Sequence, residues 1–326
     1  MTPRTDLVAA AHTFFDGPLA MDERAITRLS SALRHLDNGP VNGDGLRAAA
    51  GLSAPTRAPR VSPKVVSVLS VTGVIEPTAG IMTALAMGTS MRQFMSELVI
   101  AKYAETSAIA LVIDSPGGSA RLVTEAAQLL REVRQHKPII AIVTGTCASA
   151  AYWLAAQATR IEATQSADIG GVGVFCAHVD TSKALEKEGL TVTLLSAGRH
   201  KTEGNPTQPL DATARAHLQA RVDEQYGWFV QDLAAGRRVP EATVRHGFGE
   251  GRVLSAPEAL KAGMIDRVAT LDDSLNRLHD TKQAVPSGNH LLSQPTPTLA
   301  SERMAAVTDR ILAPHYRALA QAARRS

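Results

Sequence analysis

Apolar runs of strand length that alternate with helical segments constrain the fold of this chain more than any other feature. Residues 108–113 and 139–143 are continuous apolar runs, and residues 120–135 between them carry apolar side chains at helical spacing. When a helix connects two strands, the strands pair in parallel, because the helix returns the chain to the edge of the sheet from which the first strand started. We therefore predict an α/β fold with a parallel sheet built from repeated strand–helix–strand units.

The same criteria predict further elements on both sides of this unit. The additional strands are predicted at residues 65–71, 73–75 and 191–195. The additional helices are predicted at residues 91–104, 149–158, 211–236 and 272–279.

Composition divides the chain into three parts. Residues 1–60 combine a short helical pattern with a stretch rich in Gly, Pro and Asn, which is typical of a linker. Residues 61–280 contain the alternating strands and helices. Residues 281–326 begin with a second polar, Pro-containing linker and end in a helical pattern. We predict one core domain at 61–280 with helical N- and C-terminal extensions.

Charge and cysteine usage exclude several classes of protein. The formal net charge is +3 and aromatic residues make up 4% of the chain, so we expect no nucleic-acid groove. Cys147 and Cys176 lie in no disulfide or zinc-binding pattern, which fits a reducing compartment such as the cytoplasm. Residues 138–159 carry no formal charge and are long enough to cross a bilayer, but a strand, a turn and a helix explain their composition better. We expect no membrane anchor.

A pair of glycines follows one of the predicted strands. The run at 108–113 is continued by Asp-Ser-Pro-Gly-Gly, which ends in Gly117 and Gly118. Glycines at the carboxyl end of a strand allow a tight turn and leave backbone N–H groups free to bind a phosphate or a developing oxyanion. Taken alone, the segment is better explained as an ordinary strand-to-helix turn.

Ser149 lies where the next predicted helix should begin. A serine in this position is usually a helix N-cap. Here small alanines surround it and leave room for a substrate carbonyl, while the helix N-terminus favours negative charge nearby. Gly118 precedes Ser149 by 31 residues, the length of one strand–helix–strand unit, so the two should meet at one edge of the sheet. Cys147 is an alternative nucleophile, but a small buried side chain is its simpler interpretation.

A serine nucleophile needs a base, and Lys201 is the candidate. The ten histidines form no clear Ser-His-Asp arrangement, and His200 has no obvious carboxylate to orient it. A lysine can act as a general base when burial and neighbouring cations keep it neutral. An isolated lysine in a loop is usually solvated, so Lys201 is favoured only because all three segments occur together and in order.

Taken together, these segments resemble the signal peptide peptidase (protease IV) family of Ser/Lys peptidases, which is related in fold to ClpP and the crotonases. The similarity runs from about residue 65 to residue 268. It includes VVSVLSVTGVIEP, IALVIDSPGGSA, TGTCASAAYWLAAQA, SADIGGVGVF, SAGRHKTEGNPTQPL and GRVLSAPEALKAGMIDRVA. Several ordered motifs across some two hundred residues make the resemblance specific.

The resemblance implies a role for each part of the site. Ser149 would be the nucleophile and Lys201 its general base, working through an acyl-enzyme. The backbone N–H groups of Gly118 and Ala150 would form the oxyanion hole. No metal or organic cofactor is implied.

A second glycine-rich turn is expected to support this site by close packing. It contains Gly170 and Gly173, and Gly117 is expected to act in the same way. A nucleotide-binding loop is the less favoured interpretation, because the preceding segment is polar and no Lys-Ser/Thr pair follows.

The resemblance also predicts partners and a biological role. One copy of each motif is typical of the short form of the family, which would form a homo-oligomer to complete its cleft, with Lys201 acting across a subunit boundary as a further hypothesis. The segment FDGPLAM at residues 15–21 and the lack of an anchor pattern resemble the phage head-maturation peptidase (minor capsid protein C) subgroup.

The predicted function is thus a serine endopeptidase that processes scaffold or capsid proteins in the cytoplasm or on the prohead, and itself as well. Two alternatives stay open. The first is a soluble bacterial peptidase that degrades signal peptides or other short peptides. The second is a catalytically inactive capsid or interaction component on the same fold.

Overall fold

The computed structural model describes residues 19–21 and 66–280, and the strands within them form a single sheet. The strands are β1 (Leu19–Met21), β2 (Val66–Glu76), β3 (Gly88–Ser90), β4 (Ala108–Ser119), β5 (Ile139–Ala148), β6 (Arg160–Ala163), β7 (Asp168–Gly170), β8 (Val253–Ser255) and β9 (Arg267–Val268). The helices are α1 (Ile81–Ala84), α2 (Met91–Tyr103), α3 (Val123–His136), α4 (Ala150–Ala155), α5 (Ser182–Lys187), α6 (Ala212–Arg237), α7 (Glu241–Gly247), α8 (Ala256–Lys261) and α9 (Leu271–Asp280).

The centre of the sheet is parallel. Its strands follow the spatial order β3–β2–β4–β5–β6–β9, and every neighbouring pair along this path is parallel. Strand β7 pairs in parallel with the end of β5 and antiparallel with β8, and β1 pairs antiparallel with the end of β4. The predicted α/β fold with a mostly parallel sheet is confirmed, including the crossover from β4 through α3 to β5.

Both faces of the sheet are covered. Ile109, Leu111 and Ile113 of β4 belong to the main hydrophobic core, which also contains buried residues of α2, α3, α4 and α6. The alternate positions Ala108 and Ala110 face a smaller cluster that includes Leu275 and Leu278 of α9. Burial on both faces is why β4 is a continuous apolar run and not an alternating one.

Most predicted elements form close to their predicted positions. The helices predicted at 91–104, 211–236 and 272–279 are α2, α6 and α9. The two strand segments predicted at 65–71 and 73–75 are one continuous strand, β2. Helix α4 is shorter than predicted, since it ends at Ala155.

The glycine pair was predicted in a strand-to-helix turn, and this was wrong. Strand β4 continues through both glycines to Ser119, where Gly117 and Gly118 pair with β2. A Cβ atom on Gly118 would lie 2.1 Å from the carbonyl oxygen of Ile75, so this glycine permits close strand packing. Helix α3 starts only at Val123, because Leu122 before it has left-handed backbone angles with φ of 66°.

The strand predicted at residues 191–195 is also absent from the structure. This segment has no regular secondary structure, and its apolar side chains are exposed, with Leu195 94% exposed. β-Branched and aliphatic residues form a strand only when a sheet edge is available for pairing, and this segment pairs with no strand of the described chain.

Several predictions lie outside the described residues. These are the helical pattern near the N-terminus, both linkers and the C-terminal helix. Among the helices described, none combines the length and the apolar character that crossing a membrane requires.

Candidate active site

Ser149 occupies a sharp turn between strand β5 and helix α4. Its φ is 56° and its ψ is −120°, a left-handed conformation that a residue with a side chain adopts at an energetic cost. Two backbone hydrogen bonds hold this conformation, from Ser149 N to the Gly170 carbonyl at 2.7 Å and from Trp153 N to the Ser149 carbonyl at 2.9 Å. Strand-to-helix turns of this kind present the nucleophile in α/β-hydrolases.

The hydroxyl of Ser149 is not used as a helix cap. It accepts no hydrogen bond from the first turn of α4, so the interpretation of Ser149 as a simple N-cap is wrong. Its Oγ instead donates a long hydrogen bond of 3.4 Å to the carbonyl oxygen of Gly173. The residue is only 1% exposed. A weakly bonded hydroxyl on a strained backbone is available for chemistry once a substrate can reach it.

The glycine-rich turn after β7 lies directly against Ser149. Gly170 accepts the Ser149 N–H, Gly173 accepts the Ser149 hydroxyl, and a Cβ atom on Gly171 would approach Ser149 N to 3.1 Å. A larger residue at Gly171 would also be strained, because its φ is +63°. The turn therefore lies where the sequence predicted it, and its supporting role stays a prediction.

The structure brings Gly118 and Ser149 to the same edge of the sheet. Strands β4 and β5 pair up to Ser115 and Cys147, and Ser149 follows two residues after this last pair. The main-chain N–H of Ala150, the other predicted oxyanion donor, belongs to the first residue of α4.

Two side chains that the sequence analysis did not single out fix these strand ends. Asp114 Oδ1 accepts a hydrogen bond from Thr146 N at 2.9 Å, which ties β4 to β5 just before the turn. Ser115 Oγ donates to the Gly73 carbonyl at 2.6 Å and accepts from Gly117 N at 3.1 Å. Their position directly before the glycine pair was the available signal, since polar residues at a strand end often bond to backbone groups.

Lys201 is exposed and makes no hydrogen bond with Ser149 within the described part of the protomer. Its ammonium group has no hydrogen bond or ion pair with any residue in the ranges 19–21 and 66–280, and the Ser149 hydroxyl donates only to Gly173 there. The structure of one protomer thus positions the predicted nucleophile but does not join it to the predicted base.

The segment that carries Lys201 is held together mainly by its own contacts. His178 Nε2 lies 3.0 Å from the Asn205 carbonyl oxygen, and Thr181 N donates to the Pro206 carbonyl at 2.8 Å. These bonds hold together residues 174–211, a long excursion of the chain between the glycine-rich turn and α6. Five of its exposed side chains are large and aliphatic, namely Val179, Leu190, Val192, Leu194 and Leu195.

His200 has a carboxylate partner that the sequence analysis missed. Its Nδ1 contacts Oε1 of Glu203, three residues later, and the His200 side chain is 54% exposed. This pair lies on the same turn as Lys201. Neither side chain contacts Ser149 within the described residues, so the structure does not assemble a Ser-His-Glu triad.

Cys147 is excluded as a nucleophile. Its side chain is fully buried, and burial, together with the nearby Asp114 carboxylate, raises the pKa of its thiol far above the usual value. The reactive thiolate form is therefore inaccessible at neutral pH. The buried, small-residue interpretation of Cys147 is the one that the structure supports.

A cleft of about 520 Å³ opens beside the Gly173 carbonyl. One wall is Val172 to Val174, and the other is formed by residues of α6 and α7, including Tyr226 and Arg245. Within residues 19–21 and 66–280, no group of three or more His, Cys, Asp or Glu side chains could hold a metal ion.

Comparisons with known proteins find two matching family models and several similar proteins. Residues 131–285 match the model for Peptidase family S49, and residues 71–168 match the model for Clp protease. Capsid assembly protease C of Escherichia phage lambda is 34% identical over 206 residues, which are 62% of this chain and 46% of that protein. Head–tail preconnector protein GP5 of Enterobacteria phage P21 is 30% identical over 236 residues, 70% of this chain and 45% of that protein.

A cellular relative is also similar. The putative signal peptide peptidase SppA of Enterococcus faecium is 27% identical over 220 residues, 66% of this chain and 63% of that protein. The chain spans a little less than half the length of the two phage relatives. The two family matches share residues 131–168, which include Ser149 and its turn. By these matches the chain is similar to peptidase family S49 over residues 131–285, on a Clp-protease-like α/β fold.

Proposed function

We propose that this protein is a serine peptidase with Ser149 as its nucleophile. The observation that carries the proposal is the left-handed backbone of Ser149 at the end of β5, held by two backbone hydrogen bonds while its hydroxyl stays free of any capping role. The match of residues 131–285 to peptidase family S49 supports the same reaction class.

The proposed reaction passes through an acyl-enzyme. Ser149 Oγ attacks the carbonyl carbon of a peptide bond, and its proton passes to the Lys201 amine. The backbone N–H groups of Gly118 and Ala150 stabilise the negative oxygen of the tetrahedral intermediate. The intermediate expels the leaving amine, which takes the proton from Lys201. Water, activated by the same lysine, then releases the acid product and restores Ser149.

Lys201 is proposed to act on Ser149 of a neighbouring copy. Within one protomer the lysine is exposed and makes no hydrogen bond with Ser149 among the described residues. The same excursion exposes five large aliphatic side chains, of which Leu195 is the most exposed. Exposed apolar groups of this kind are typical of surfaces that contact another protein. A homo-oligomer would bury them and bring the lysine to a second subunit's turn.

A mixing experiment tests the dyad and its location together. Ser149→Ala and Lys201→Ala should each abolish hydrolysis of a quenched fluorescent casein, while Lys183→Ala, an exposed lysine of the same excursion, should leave it unchanged. If the base acts across subunits, unfolding and refolding the two inactive variants together should restore about a quarter of the wild-type rate, because random mixing pairs an intact serine with an intact lysine in that share of sites.

The possible results separate the parts of the proposal. A fully active Lys201→Ala variant would show that another group is the base. A mixture that stays inactive, although both variants assemble normally, would show that lysine and serine belong to one subunit. Wild-type turnover by Ser149→Ala would disprove the peptidase assignment and favour a structural component.

The substrate is proposed to be a scaffold or capsid protein of a phage head, with the enzyme acting on the prohead. The support is the similarity to two phage proteins, one of them a capsid assembly protease. The similarity to a putative signal peptide peptidase supports a second candidate, the degradation of short peptides. Co-expression with a phage capsid protein and its scaffold protein distinguishes the two. Cleavage that depends on Ser149 supports the phage role, and cleavage of short peptides alone supports the second.

A further inference from the structure

Strand β1 lies far from the rest of the sheet in sequence but pairs with the part of β4 that carries the predicted oxyanion donor. The pairing is antiparallel, and its register places Leu19 opposite Ser119, Ala20 opposite Gly118 and Met21 opposite Gly117. The segment is the end of the FDGPLAM stretch at residues 15–21. The proposed reaction assigns it no role.

The edge of β4 that β1 occupies follows from the register of the other strands. Gly117 and Gly118 also pair with Val74 and Ile75 of β2. Because β4 has only two edges and β2 occupies one of them, β1 must lie on the other edge. Strand β5 occupies that same edge at the preceding residues of β4, up to Ser115. Strand β5 leaves this edge after Cys147, and Ser149 follows at once. Strand β1 therefore fills the place on β4 that β5 vacates beside Ser149.

This place is where an extended substrate would have to bind. A peptide carbonyl attacked by Ser149 and stabilised by Gly118 N–H must lie along the free edge of β4 between these two groups. Extended peptides bind to exposed sheet edges through backbone hydrogen bonds, which supply much of their affinity. In the structure this edge is already paired, and Ser149 is only 1% exposed.

We propose that β1 occupies the substrate-binding edge of β4 and holds the peptidase in a self-inhibited state. A substrate strand must displace Leu19–Met21 before it can reach Ser149. This inference rests on the proposed function in taking Ser149 as the nucleophile and the Gly118 N–H as an oxyanion donor. Because β1 is part of the same chain, it competes at a high effective concentration, and weak backbone pairing is sufficient to exclude a free peptide.

A reversible cross-link tests the competition directly. Leu19 and Ser119 are register partners, and Cα atoms of cross-strand partners are close enough for a disulfide. The pair Leu19→Cys and Ser119→Cys is introduced together with Cys176→Ser, which removes the partly exposed native thiol, and with Ser149→Ala, which prevents cleavage. The probe is a fluorescein-labelled peptide of residues 15–24, and its binding is measured by fluorescence anisotropy.

The oxidised protein should bind this peptide at least about tenfold more weakly than the reduced protein, and a chain that lacks residues 1–21 should bind it most tightly. Each single cysteine variant is the matched control and should not respond to oxidation. Equal affinity of the oxidised, reduced and truncated forms would overturn the proposal, and so would failure of the two cysteines to form a disulfide.

The binding assay does not depend on catalysis, so it separates this inference from the proposed function. In chains that keep Ser149, locking the disulfide should suppress casein hydrolysis and reduction should restore it. One further outcome is that the disulfide blocks peptide binding in a protein whose Ser149 form shows no peptidase activity even when reduced. That result would support the role of β1 and count against Ser149 as a nucleophile.

Discussion

Three glycines around Ser149 show how closely the backbone is packed at this site. A Cβ atom on Gly118 would lie 2.1 Å from the Ile75 carbonyl oxygen, and one on Gly145 would lie 2.5 Å from Asp114 Oδ1. The third, Gly171, has a left-handed backbone and leaves only 3.1 Å between a Cβ atom and Ser149 N. At the first two positions the glycine is required by the approach of a neighbour, because both have unstrained backbone angles.

We expect Gly118→Ala to damage both stability and activity. The added methyl group must push β4 away from β2, since its obstacle is backbone, and overpacking of this kind costs about 1–3 kcal/mol. The displacement also moves the N–H proposed to bind the oxyanion, so kcat should fall more than KM rises. Chemical denaturation and steady-state kinetics measure the two effects.

Gly227→Ala in α6 is the matched control for this substitution. A Cβ atom there would meet nothing within 4 Å, and alanine is the better helix former by about 1 kcal/mol. It should leave activity unchanged and stability equal or higher. A Gly118→Ala variant that behaves in the same way would contradict the close-packing explanation.

Lys137 is a buried lysine with a structural role. Its Nζ donates to the carbonyl oxygens of Ala101 and Ala104 at 2.8 and 2.7 Å, and to Thr106 Oγ1 at 3.3 Å. The first two are carbonyl groups at the end of α2, where the helix leaves them without an internal partner.

Lys137→Met should therefore destabilise the protein by about 1–3 kcal/mol, because it keeps the bulk but removes the donor to the Ala101 carbonyl. It also leaves the Ala104 carbonyl with only the backbone N–H of Thr106 as donor. Urea denaturation followed by circular dichroism measures the change. Lys261→Met, at an exposed position of α8, should change the free energy of unfolding by no more than about 0.5 kcal/mol. Equal effects of the two substitutions would contradict the capping role.

At the scale of elements, α9 is attached to the sheet through one buried carboxylate. Glu162 of β6 is fully buried and accepts hydrogen bonds from Ser274 Oγ at 2.6 Å and from Arg277 at 2.7 Å. Arg160 Nε lies 2.7 Å from its other oxygen. Burial alone would raise the pKa of Glu162, but the hydrogen bonds from Arg277 and Ser274, with the charge of Arg160, bring it below its ordinary value.

This pKa shift has a predictable effect on stability. A carboxylate with a depressed pKa in the folded state stabilises the protein above its unfolded pKa and loses that contribution as the pH falls through the folded value. Glu162→Gln should therefore be less stable than wild type by about 1–3 kcal/mol at pH 7. The difference should shrink as the pH drops below about 4.

Denaturation at a series of pH values, with amide hydrogen exchange of α9, measures this effect. The control is Asp266→Asn, which replaces another carboxylate whose pKa is lowered by a hydrogen bond from Arg237, despite burial. It should leave the hydrogen-exchange protection of α9 unchanged. A stability difference between Glu162→Gln and wild type that does not vary with pH would contradict the assignment.

At the scale of the whole molecule, one protomer leaves an apolar surface uncovered near the proposed base. Leu194 and Leu195 are 45% and 94% exposed, and they precede Lys201 by a few residues. Burial of such side chains is favourable by about 25 cal/mol for each Å² of apolar surface, so a second copy that covers them gains stability. The chemistry of the site and the assembly of the protein are thereby expected to depend on each other.

Leu195→Glu should weaken self-association and, with it, peptidase activity. The charge would have to be buried in the interface, whereas the fold of the protomer should be unaffected because the side chain is exposed there. Light scattering after size exclusion measures the mass, and circular dichroism checks the fold. Ile100→Glu replaces a side chain that is 65% exposed on α2, and it should leave both mass and activity as in wild type. An unchanged mass for Leu195→Glu would show that this surface is not an interface between copies.

The sequence alone determined the parallel sheet and the position of Ser149, because both depend on local patterns. Continuous apolar runs predict strands buried on both faces, and one strand–helix–strand unit brings Gly118 and Ser149 to the same edge. The helices α2, α6 and α9 were predictable for the same reason, since their apolar spacing and boundaries are local.

Tertiary structure alone decided the rest. Gly118 lies within a strand because of its approach to Ile75, and residues 191–195 are not a strand because no sheet edge receives them. The pairing of β1 with β4 joins residues about a hundred positions apart, and no local pattern encodes such a partner. Backbone hydrogen bonding between strands depends on which strand edges meet in the folded chain. The local sequence specifies directly only which residues favour a strand.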